Sequence, residues 1–92
     1  MKNVNLQRHS NIVKKMSEKE LGQKALYLIY VINDFAEKFQ LSLQGAYSYL
    51  NRYQGIEFLD EYYSAEHLLS IDEAIDDVTL VCKRNGGGLG KS

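Results

Sequence analysis

Proline is absent from all 92 residues, and four of the seven glycines fall between positions 86 and 90. An apolar-periodic segment in such a chain meets nothing that breaks a helix until a capping residue ends it, so long helices are favoured over a turn-rich β fold. The first helix signal is Ser17 followed three residues later by Glu20, a capping-box pattern, after which Leu21, Ala25, Leu28, Ile32, Phe35 and Phe39 recur at steps of three or four. This pattern predicts a helix from about Glu18 to Gln40. Its middle is apolar on the remaining faces too, through Leu26, Tyr27, Ile29, Tyr30 and Val31, which predicts a helix packed on several sides.

Three more segments follow. Ser42 is a cap ahead of Leu43, Ala46, Tyr47, Leu50 and Tyr53, and Gln54-Gly55 ends that helix because glycine accepts the left-handed exit conformation. Ile56, Leu59, Tyr62 and Tyr63 form a short third stripe reaching about Glu66. Ser70 with Glu73 repeats the capping box, and Ile71, Ala74 or Ile75, Val78, and Val81 or Cys82 carry a fourth helix that stops near Asn85-Gly86. The expected fold is all-α, a compact bundle of about four helices over residues 17–86. It is flanked by a basic N-terminal arm or short helix over 1–16 and a flexible glycine-rich tail over 87–92.

Composition fixes the class. A 45% hydrophobic content excludes wholesale disorder, and a chain of this length supports one modest core. The single cysteine, Cys82, allows no internal disulfide, and the longest apolar run, Ala25 to Ile32, is far short of the roughly 20 residues a membrane span needs. A cytoplasmic protein with no membrane association is expected.

Catalytic and cofactor motifs are weak. The ending Asn85 to Ser92 has the Gly-Lys-Ser close of a phosphate-binding loop, but Asn replaces its first glycine and the segment before it reads as helix where that loop needs a strand. His67 lies near Glu66, Asp72 and Asp76 without a recognised metal spacing, and is better read as a histidine that caps a carbonyl or packs on a tyrosine. His9 reads as solvated. Cys82 falls on the apolar stripe of the last helix and reads as a small core residue. No enzyme activity, cofactor, metal or small-molecule substrate is expected.

What remains is surface. From Ala25 to Cys82 there are ten acidic residues against Lys38 and Arg52, whereas the first 24 residues hold six Lys/Arg against two Glu and the last ten add Lys83, Arg84 and Lys91. Seven tyrosines, Tyr27, Tyr30, Tyr47, Tyr49, Tyr53, Tyr62 and Tyr63, exceed what a small core uses, and tyrosine is enriched at interfaces. An anionic face with tyrosines suits a basic protein partner. The interface candidates are Asp60, Glu61, Tyr62, Glu66, His67, Asp72, Asp76 and Asp77. A second reading is a small DNA-binding regulator, with Leu41 to Tyr63 drawn as helix-turn-helix around Gly55. Its recognition segment carries Glu57, Asp60 and Glu61 and no cation, so only Lys2, Arg8, Lys14 and Lys15 of the arm suit phosphate contact. A homo-oligomeric structural protein is a third.

Phe35-Ala36, Leu41-Ser42, Ala46-Tyr47, Tyr49-Leu50, Gly55-Ile56, Phe58-Leu59, Tyr62-Tyr63, Glu66-His67, then Asp76-Asp77 and Cys82 to Gly87 form a series. It resembles a family of very short bacterial domains of unknown function that are often encoded beside ADP-ribosyltransferase-like toxins. The resemblance spans about Leu26 to Gly87; Tyr53-Gln54-Gly55-Ile56 is one residue longer than the family's usual Tyr-Gly-Ile, and the basic arm is additional. The resemblance implies an antitoxin-like protein, forming a heterodimer or higher complex with a cognate toxin enzyme that modifies its target from NAD.

Overall fold

The computed structural model describes residues 18–89, and among these every regular element is a helix. They are α1 (Glu18–Lys38), α2 (Leu43–Arg52), α3 (Gly55–Glu61), α4 (Tyr63–Glu66) and α5 (Ile71–Arg84). Helix α1 packs against α2, α3 and α5, and α3 also packs against α2, α4 and α5. The arm with Lys2, Arg8, Lys14 and Lys15, the Ser17 cap and the Lys91-Ser92 end lie outside the described residues.

Caps fix the helix ends where the sequence places them. Ser42 Oγ accepts the Gly45 N–H at 2.9 Å, and Ser70 and Glu73 exchange reciprocal bonds of 3.1 Å to close the capping box of α5. At the far end of α5, Gly86 has φ 97°, its N–H donates to Lys83 O at 3.1 Å, and the Gly87 N–H donates to Cys82 O at 2.8 Å. These two bonds are a Schellman close. The same pair of bonds ends α1, from Gln40 and Leu41, with Gln40 at φ 57°.

Three expectations change. The left-handed residue between α2 and α3 is Gln54, at φ 72°, not Gly55. Gly55 is instead the buried first residue of α3, and a β-carbon on it would lie 2.9 Å from Leu50, 3.0 Å from Cys82 Sγ and 3.1 Å from Val78. Glycine is there because α3 crosses α5 at backbone distance. Second, the third stripe is not one helix: the chain leaves helical geometry at Tyr62 (φ −104°, ψ 25°), which turns Tyr63 and Glu66 toward α1 and leaves Tyr62 outside. Third, the described start of the tail is docked. Gly87 is buried, a β-carbon on it would meet Tyr49 and Tyr53 at 2.7–2.9 Å, and Leu89 packs against the core.

The core is Val31 and Phe35 of α1, Ala46 and Leu50 of α2, Leu59 of α3, and Ala74, Ile75, Val78 and Cys82 of α5. Each large apolar side chain buried there contributes about 1.5–3 kcal/mol, which outweighs anything the exposed ion pairs supply. In α1 the buried line is Tyr27, Val31 and Phe35, of which only Phe35 belongs to the anticipated stripe. Leu28, Ile32 and Phe39 of that stripe are only partly buried and Ala25 is exposed, because α2 and α5 grip α1 from two sides of the 27–31–35 line.

Candidate functional site

The eight residues that the sequence groups into one acidic face divide into three sets. Asp60 of α3 is ion-paired with Lys24, whose ammonium also sits 5.8 Å from the centre of the Tyr63 ring, and Asp76 pairs with Lys38 at 3.4 Å. Both lysines come from α1, so it offsets part of the acidity of α3 and α5. Glu61, Tyr62, His67 and Asp72 are exposed around the α3–α4–α5 corner.

Glu66 and Asp77 form the third set. Glu66 is only 7% exposed, so it does not belong to an open face. Burial pushes its carboxyl up to about 7, helped by a hydrogen bond with Asp77 and by the Asp77 charge. Two carboxyls that share a site cannot both ionise cheaply, and the proton resides on the more buried one. Beside them the Tyr27 hydroxyl is raised to about 12, first by burial and then by Glu66, Tyr63 and Asp77. Tyr27 Oη and Glu66 Oε1 are both buried with no hydrogen-bond partner among the described residues.

His67 does both things its sequence position suggests. Its ring stacks on Tyr63 with centroids 4.4 Å apart and planes 15° apart, and Nδ1 lies 2.7 Å from the Tyr63 carbonyl. A carbonyl only accepts, so Nδ1 carries the proton in that bond. Tyr27 meets Tyr63 edge-on at 5.4 Å, which ties the corner to α1. A groove of about 290 Å³ lined by Gln23, Leu26, Tyr27, Tyr30, Tyr63 and His67 runs between α1 and α4.

The corner also exposes apolar residues that the acidic pattern hid. Leu68 is 77% exposed, Tyr62 51% and Leu69 38%. Two adjacent leucines between Glu66-His67 and the Ser70 cap were the available signal, since a link between helices has little reason to carry them. Leu26, Ile29 and Tyr30 of α1 and Leu43 and Tyr47 of α2 are also about half exposed, and Leu26 and Tyr30 lie on the groove beside Tyr63 and His67. Of the apolar middle of α1, Tyr27 and Val31 are buried where α1 meets its three neighbouring helices, whereas Leu26, Ile29 and Tyr30 stay open.

Cys82 is fully buried and its thiol is pushed up to about 11 by burial, against a smaller lowering by a backbone hydrogen bond from Gly55. Among the described residues no three His, Cys, Asp or Glu side chains come together to hold a metal ion. No described helix is long and apolar enough to cross a membrane. The helix-turn-helix drawn around Gly55 has a seven-residue second helix carrying Glu57, Asp60 and Glu61.

The model of one protein family, described as Protein of unknown function (DUF3791), matches residues 26–85. The chain belongs to this family. In DUF3791 terms the matched span begins in the third turn of α1 and ends at Asn85, the C-cap of α5, so it holds the whole corner and all of the buried core except the docked tail. No curated protein and no solved structure matches the chain.

Proposed function

We propose that this DUF3791 protein is an antitoxin-like binding protein, without catalysis of its own, that neutralises a bacterial toxin enzyme of ADP-ribosyltransferase type. The observation that carries the reading is the α3–α4–α5 corner, where exposed Tyr62, Leu68 and Leu69 lie in the same 13 residues as Asp60, Glu61 and Asp72. A bare apolar cluster with a charged surround is the composition of a protein-binding patch, in which aromatic and aliphatic anchors supply affinity and the rim supplies orientation. An enzyme acting on NAD or nucleic acid needs a cationic cleft, and an acidic corner fits such a cleft as a mimic of the substrate.

Within this reading the roles differ. Tyr62, Leu68 and Leu69 are anchors, Glu61, Asp72 and His67 are rim contacts, and Asp60 and Asp76 exchange α1 lysines for those of the partner. Glu66 and Asp77 hold the corner in shape from inside. Mixing the purified chain with the enzyme encoded beside its gene, on a sizing column at low salt, tests the proposal. Co-elution that weakens as salt rises supports it, and separate elution at low salt overturns it.

A further inference from the structure

The exposed face of α1 carries a column of six residues at alternating steps of four and three: Lys19, Gln23, Leu26, Tyr30, Asn33 and Glu37. All six are exposed. This is the 3.5-residue spacing of a coiled-coil seam, distinct from the buried 27–31–35 line that faces the core. Lys19 and Glu37 are 18 residues apart, about five helical turns, so they stand at the same angle on the helix roughly 27 Å from each other.

The column is also complementary to its own reverse. About a point level with Leu28, Lys19 mirrors Glu37, Gln23 mirrors Asn33, and Leu26 mirrors Tyr30. An interface with two-fold symmetry requires that if one residue meets a second, the second meets the first on the other copy. Two α1 helices laid antiparallel satisfy this at every layer. A charged pair sits at each end, an amide pair comes next, and apolar pairs fill the centre, with Ile29 at 51% exposure beside them. Apolar centre and polar rim is the arrangement of specific interfaces.

We infer that the chain forms a homodimer through antiparallel pairing of α1, with Leu26 against Tyr30 of the second copy and Lys19 against its Glu37. Gln23, Leu26 and Tyr30 of this surface also line the groove beside Tyr63 and His67, so it adjoins the α3–α4–α5 corner, while Tyr62, Leu68 and Leu69 are not among the lining residues. The dimer is tested on the chain alone, so its outcome is distinguishable from that of toxin binding.

Light scattering on the full chain, followed by charge reversal, tests it. The wild type is expected at twice the 10.5 kDa chain mass. Lys19→Glu and Glu37→Lys each turn two attractive contacts into two repulsive ones and weaken the dimer about tenfold at low salt. Mixed together, the two variants restore it, because each then offers the other the opposite charges. Leu26→Glu, at a half-exposed site, leaves the helical circular dichroism intact and abolishes the dimer. A wild-type monomer, a dimer indifferent to these changes, or single variants not rescued by mixing would each overturn the inference; a monomer that pairs only with another protein on this face is included in the first outcome.

Discussion

Glu66 and Asp77 share a hydrogen bond between α4 and α5, with the Glu66 carboxyl buried and Asp77 partly exposed. The pair sets how this fold responds to pH. In the folded state Glu66 holds its proton up to about 7, whereas in the unfolded chain it loses it near 4.5. Between these values the folded state binds the extra proton, so stability falls as pH rises from about 4.5 to about 7 and levels off above that. The wild type is predicted to lose on the order of 1–3 kcal/mol across this window. Glu66→Gln, which keeps a donor toward Asp77 without a titrating group, removes that fall. Urea denaturation of both proteins at pH 5 and pH 8 measures it; a parallel dependence in the variant contradicts the assignment.

Gly55 and Gly22 make a matched comparison. Gly55→Ala forces a β-carbon to within 2.9–3.1 Å of Leu50, Cys82 and Val78, and overpacking of this kind costs about 1–3 kcal/mol. Gly22, within α1, has nothing within 4 Å of an added β-carbon. Gly22→Ala should stabilise by about 0.5–1 kcal/mol through helix propensity. Thermal melts read both, at about 4–8 °C per kcal/mol for a domain of this size.

Much of the fold was legible in the chain because caps act over three or four residues. Ser42, Ser70 with Glu73, and the Gly86 exit all lie within reach of what they bond, so sequence spacing alone places them. Gly55 was misread for the opposite reason. Its role depends on Val78 and Cys82, more than 20 residues away, and only the crossing of α3 and α5 brings them together. The burial of Glu66 is equally non-local, since it requires the bend at Tyr62 and the approach of Asp77. The acidic candidates were found by composition, which cannot tell Asp72, left open, from Asp60 and Asp76, each met by a lysine of α1.

Removing the α5 cap tests a local contribution. Ser70→Ala leaves the Glu73 N–H without its acceptor and should cost about 1 kcal/mol. The m-value should not change, because the core beneath α5 stays in place.

Cys82 should be silent toward thiol reagents in the native protein. It is fully buried and its thiol is raised to about 11, so both access and thiolate fraction are low. Ellman's reagent should report no reactive thiol until denaturant is added, and then one per chain. Prompt native labelling would mean that the α3–α5 contact opens readily.

The neutralisation reading proposes an NAD-consuming toxin as the product of the adjacent gene, and it is most directly tested by measuring NAD turnover of that gene product while the chain is titrated in. Activity is predicted to fall to background at saturating chain, with Tyr62→Ala and Leu68→Asp each raising the concentration needed by about tenfold, the equivalent of 1.4 kcal/mol. Undiminished turnover at saturating wild-type chain would contradict it.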